Sequence, residues 1–131
     1  MNNSKQAYEK HENLVDLIYK DLRGRNYKTQ GIGRHVNYGV RYHKIIGEID
    51  IVQYSHLTNG RHYFILHEVK GTYRQTKKAY KQLRRAYQYM LREHHDKNIK
   101  VFCMLERGNS RDSEGRVYDS KWLTKKELKI R

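Results

Sequence analysis

Apolar residues fall along the chain in two rhythms, and the changes between them mark the elements. From Gln6 to Leu22, Ala7, His11, Leu14, Val15, Ile18 and Leu22 recur mostly at spacings of three and four. That spacing places them on one helix face, and Gly24 follows as a stop. Lys44 to Tyr54 carries Ile45, Ile46, Ile49, Ile51 and Val52, and His62 to Lys70 carries Tyr63, Phe64, Ile65, Leu66 and Val69. Both runs have strand length. Thr58-Asn59-Gly60-Arg61 separates them, and Asn-Gly is a strong hairpin signal, so the two strands should pair antiparallel. Thr76 to His94 reads as a long helix burying Ala79, Leu83, Ala86, Tyr87 and Met90. Ile99 to Leu105 reads as a further strand.

The intervening stretches are polar. Arg25 to Val40 holds Gly31, Gly33 and Gly39, which predicts a flexible or turning segment, with a twisted edge strand near Tyr27 to Gln30 as the alternative. Glu106 to Ser120 carries Gly108 and Gly115 and is expected to be a loop. Thr124 and Glu127 have capping-box spacing, with Leu123 and Leu128 as the staple, so a short C-terminal helix should follow. No repeat or linker interrupts the pattern. The expectation is one domain over 1–131, its core at about 6–105, with 106–131 as loop and short helix.

A chain of 131 residues can bury a core without disulfides. Cys103 is the only cysteine. It excludes an intramolecular disulfide, suits a reducing, cytoplasmic setting and reads as a small buried hydrophobe. No run approaches the roughly 20 apolar residues of a membrane span, so no membrane partner is expected. Charge changes the picture more. Against 14 Asp+Glu stand 28 Lys+Arg, a formal net of +14. Such a field attracts polyanions, which makes nucleic acid the first candidate partner. Arg34 and Arg41 on the Gly-rich segment, and Lys77, Lys78, Lys81, Arg84 and Arg85 on the long helix, are the candidate phosphate contacts. The eight histidines match no common zinc spacing.

The chemistry centres on Gly47-Glu48-Ile49-Asp50-Ile51-Val52 and Leu66-His67-Glu68-Val69-Lys70-Gly71. Residues two apart on a strand share a face, so Glu68 and Lys70 point together. Asp50, on the hairpin partner, can face them, and Glu48 shares its parity. Two carboxylates and an ammonium would then converge. Carboxylate oxygens suit Mg²⁺ or Mn²⁺, and such an ion activates water against a phosphodiester. Lys70 would orient that water or stabilise the transition state.

This constellation resembles the PD-(D/E)XK nuclease superfamily, which includes archaeal Holliday junction resolvases, RecB-like nucleases and many restriction enzymes. The resemblance rests on Asp50, on Glu68-Val69-Lys70, on the Gly-Glu-Ile-Asp form and on the element order, and it covers Gln6 to Leu105. It implies an α/β restriction-endonuclease-like core, a central mixed sheet flanked by helices in the order α-β-β-β-α-β. It implies that Asp50, Glu68 and the Val69 carbonyl ligate metal and that Lys70 is catalytic. The family often adds a first-helix glutamate, here Glu12, with Glu9 one turn earlier as the alternative. RecB-like members add a Gln and a Tyr on the later helix; Gln82 with Tyr87 looks similar, at a spacing one residue longer than usual. The implied activity is a metal-dependent DNA endonuclease, with junction resolution as the finer reading and a homodimer as the assembly. A non-catalytic basic nucleic-acid-binding module, or an exonuclease or RNA-directed nuclease of the same fold, is the alternative.

Overall fold

A computed structural model of the chain describes residues 3–25, 31–39, 46–56, 60–71, 75–94, 98–108 and 118–130. The first helix, α1 (Asn3–Arg25), covers the expected Gln6 to Leu22 and buries Val15, Ile18 and Leu22, but it runs on through Gly24, which does not stop it. The strands are β1 (Gly31–Tyr38), β2 (Gly47–His56), β3 (His62–Lys70), β4 (Ile99–Gly108) and β5 (Tyr118–Leu123), and α2 (Thr76–Glu93) runs between β3 and β4. The sheet order is β1-β2-β3-β4-β5. Every neighbouring pair is antiparallel except β3 and β4. A parallel pair needs a long crossover, which α2 supplies.

The helices cover opposite faces. Ala79, Leu83, Ala86 and Tyr87 of α2 pack with Ile49, Leu66, Val101, Cys103, Leu105 and Leu123. Val15, Ile18 and Leu22 of α1 pack with Ile51 and Val69. Each fully buried Leu, Ile or Val contributes on the order of 1.5–3 kcal/mol, so both helices are held firmly to the sheet. Among the described residues, no helix is long and apolar enough to cross a membrane.

Three further expectations need correction. The Gly-rich segment is not simply a turning stretch: Gly31–Tyr38 is an edge strand paired along β2. Its glycines and asparagine have low strand propensity, and pairing with the apolar β2 overrides it. Residues 26–30, 40–45, 57–59, 72–74, 95–97 and 109–117 lie outside the described residues, as do the alternative strand near Tyr27, most of the hairpin turn and Arg41. The stretch Glu106 to Ser120 is not all loop. β4 continues to Gly108, and β5 begins at Tyr118, whose hydroxyl donates to Asp21 of α1. Finally, the C-terminus makes a turn rather than a helix. The Thr124 N–H donates to Glu127 Oε1 at 3.1 Å and the Glu127 N–H to Thr124 Oγ1 at 3.1 Å, a reciprocal capping box. Leu123 and Leu128 are both buried in the α2 cluster. Lys129 then enters the left-handed region at φ 57°, which ends helical continuation.

β2 departs from strict alternation at one place. Ile49 and Ile51 are two apart, yet Ile49 packs under α2 and Ile51 under α1. The ladder to β1 has the rungs Arg34↔Ile51 and Val36↔Ile49 but none between His35 and Asp50. The ladder to β3 ends at Ile51↔His67. His35 has φ 53°, a conformation uncommon outside glycine. The irregularity at Asp50 turns the strand, so that Ile49, Asp50 and Ile51 are all buried.

Candidate active site

Continuing the β2–β3 register one step past its last rung would set Asp50 opposite Glu68. The side chain of Asp50 takes over there: its Oδ2 accepts the backbone N–H of Val69 at 2.8 Å. Asp50, Glu68 and Lys70 are 5%, 4% and 7% exposed, and the Asp50 and Glu68 carboxyls lie close enough for each to shift the other. Two buried carboxyls so placed resist being ionised together. Burial pushes the Glu68 carboxyl up, the hydrogen bond and the charge of Asp50 push it further, and the nearby Lys70 opposes this. Burial also raises Asp50, but hydrogen bonds with His11, Glu68 and the Val69 N–H outweigh it and hold Asp50 low. Of the two carboxyls, Glu68 is the one pushed up and Asp50 the one held down.

The early part of α1 brings a second group of residues to this end of the sheet. His11 Nε2 lies 3.1 Å from the Val69 carbonyl oxygen and 3.4 Å from Asp50 Oδ2. The hydrogen bond to Asp50 raises the imidazole pKa against the opposing effect of burial. His11 Nδ1 lies 3.5 Å from Glu12 Oε1. Glu12 Oε2 lies 2.9 Å from His35 Nε2, and His35 Nδ1 lies 3.0 Å from Glu48 Oε1. Carboxylates and imidazoles thus run in one chain from Glu68 through Asp50, His11, Glu12 and His35 to Glu48. Within it, His35, Glu48 and Asp50 each place one ligand atom within 4.8 Å of the others. The donors are hard oxygens with imidazole nitrogen, a set that fits Mg²⁺ through its oxygens and Mn²⁺ through both.

Of the residues expected from sequence, Asp50, Glu68, Lys70 and Glu12 come to this end of the sheet. The Val69 carbonyl, an expected ligand, faces His11 Nε2. Glu9 is exposed. Gln82 lies on α2, its Oε1 buried without a hydrogen-bond partner, and Tyr87 packs in the core. Sequence reasoning missed His11 and His35 and gave Glu48 only a subsidiary place. His11 stands at a core spacing on α1, so its register reads as apolar; its neighbour Glu12 was the available signal. His35 lies on a strand whose glycines hid it.

The expected phosphate contacts divide. Lys77, Lys78, Lys81 and Arg85 are exposed on α2, and Arg84 is half-buried. Arg34 is instead paired with Asp16, and its guanidinium lies 4.8 Å from the Tyr19 ring centroid, so it clasps β1 to α1. Across the sheet from Glu68, a separate buried network joins Gln53, His67, Glu106 and Ser120. His67 Nε2 lies 2.6 Å from Gln53 Oε1 and Nδ1 lies 2.9 Å from Glu106 Oε1; the Ser120 hydroxyl donates to Glu106. Comparison with protein-family models, curated proteins and solved structures finds no match for the chain.

Proposed function

We propose that this chain is a metal-dependent nuclease that hydrolyses phosphodiester bonds in DNA. The observation that carries the reading is the buried pair Asp50 and Glu68 beside the buried Lys70. Burying two acids and an ammonium is costly for a fold. The arrangement suits a site that recruits a cation.

Asp50 and Glu68 would hold Mg²⁺ or Mn²⁺, with Glu12, Glu48 and His35 as further donors nearby. A bound ion of this kind supplies polarisation of the phosphate and a nucleophilic hydroxide at neutral pH. Lys70 offsets the negative charge that develops on the phosphoryl oxygens. The Val69 N–H keeps Asp50 aimed at the pair. The exposed lysines of α2 hold the phosphate backbone. The resemblance to junction resolvases makes branched DNA the finer choice of substrate.

The test is cleavage of branched, duplex and single-stranded DNA with Mg²⁺ or Mn²⁺ and with EDTA, comparing wild type with Asp50→Asn and Lys70→Ala. Metal-dependent cutting that both variants reduce at least about a hundredfold supports the reading. Binding without cutting under either metal would make the chain a non-catalytic module, and normal cutting by Asp50→Asn would move the site elsewhere.

A further inference from the structure

Among the described residues, the α1 face of the sheet is only partly covered. α1 packs over Ile51 and Val69, at the end of the strands that carries the acid pair. Toward the other end the same face presents Tyr63 on β3, Phe102 on β4 and Trp122 on β5. Cross-strand partners share a face. Lys100 is paired with Tyr63, Phe102 with Ile65, and Trp122 with Met104, so all three rings stand on one side with Lys100. The Tyr63 and Phe102 centroids are 6.2 Å apart with the rings 6° from parallel. Phe102 and Trp122 are also 6.2 Å apart, edge to face. Phe102 is 43% exposed, Trp122 is 55% exposed, and Lys100 is exposed.

We infer that this face binds single-stranded nucleic acid, with unpaired bases stacking on Tyr63, Phe102 and Trp122 and a phosphate meeting Lys100. Aromatic rings on an open sheet recognise unpaired bases in this way because every base has a flat π-face. A net charge of +14 supplies the attraction to the backbone. A second copy of the chain fits the patch less well. Aromatic side chains bury about 150–250 Å² each, so two half-exposed rings offer a few hundred Å² at most, below the roughly 800 Å² per partner of a standard interface. Each copy would also carry the same large positive charge.

Tyr63 stands seven residues before Lys70 on β3, roughly 23 Å at 3.3 Å per residue, and on the other face of the sheet. The platform therefore holds an unpaired strand away from the acid pair, whatever happens at that pair.

Trp122 is the only tryptophan, so its fluorescence reports on the platform directly. The experiment titrates wild type in EDTA with oligo-dT of about 20 nucleotides, longer than typical single-strand site sizes, and with heparin, a polyanion without bases. Oligo-dT should quench the emission and heparin should not. Phe102→Ala should weaken oligo-dT binding about tenfold while Phe102→Tyr retains it, with duplex affinity unchanged in both. Absence of quenching while oligo-dT binds would overturn the inference without recourse to a variant. So would a concentration-dependent dimer that Phe102→Ala abolishes, which would put a second copy on the rings. Nothing is cut in EDTA, so an inactive protein leaves this outcome untouched.

Discussion

The carboxylate of Asp50 accepts the backbone N–H of Val69 at 2.8 Å, and so serves in place of a missing rung between β2 and β3. The proposed chemistry and the fold meet in one side chain. Asp50→Asn keeps an oxygen acceptor for that N–H, whereas Asp50→Ala leaves a buried donor unpaired, at a cost of about 1–3 kcal/mol. We expect Asp50→Asn to melt near the wild-type temperature and Asp50→Ala clearly below it, with neither cutting DNA. Thermal denaturation by circular dichroism checks this, and equal melting of the two variants would remove the rung role.

Glu68 gives a pH dependence with a definite sign. Its carboxyl is raised above its ordinary value of 4.5 by burial and by Asp50, so the folded chain holds the proton more tightly than the unfolded one. That contribution is complete below the ordinary value and is lost as pH rises toward the folded one. Glu68→Gln is neutral throughout and can donate to Asp50 at every pH. In EDTA, between about pH 6 and pH 9, wild type should lose stability relative to Glu68→Gln as pH rises. Parallel curves for the two proteins would mean that the fold does not raise Glu68.

The buried network on the other face tests packing rather than chemistry. His67 is 1% and Glu106 0% exposed. Glu106→Leu strands both the His67 Nδ1 and the Ser120 hydroxyl, and should cost more than Glu106→Gln, by about 1–3 kcal/mol. Urea midpoints measure the difference, and equal midpoints would show that the two groups find other partners.

The cationic residues should divide by what they touch. Lys77→Ala and Lys81→Ala, exposed on α2, should each lower the slope of log affinity against log salt by up to about 0.9, with little change in melting. Arg34→Ala, which breaks the clasp on Asp16 and Tyr19, should lower stability and leave the slope alone. Binding to duplex DNA between about 50 and 200 mM salt separates the two classes.

Much of the fold was legible in the sequence because hydrophobic period tracks burial. α2, the β2–β3 hairpin and β4 lie close to where the periodicity places them. β1 was hidden because Gly31, Gly33 and Asn37 carry no strand signal of their own; its pairing with β2 imposes the conformation. β5 was hidden because Asp119, Ser120 and Lys121 interrupt its apolar character and Trp122 points outward. At the candidate site, parity correctly gathers Glu68 and Lys70. It fails in β2, where the irregularity at Asp50 sends Ile49 and Ile51 to opposite cores. His11 could not be found by period, since it lies in register with the apolar stripe and differs from it only in chemistry.

The substitute rung at Asp50 bears on how such a chain would drift if selection for its chemistry lapsed. Selection for folding alone would still hold an aspartate or asparagine at position 50, because the Val69 N–H needs its acceptor. Glu68 and Lys70 would be under no such restraint and would give way to apolar residues that suit a buried position. Among descendants of this sequence, an aspartate or asparagine at 50 would therefore mark the fold, and the Glu68–Lys70 pair would mark the proposed chemistry.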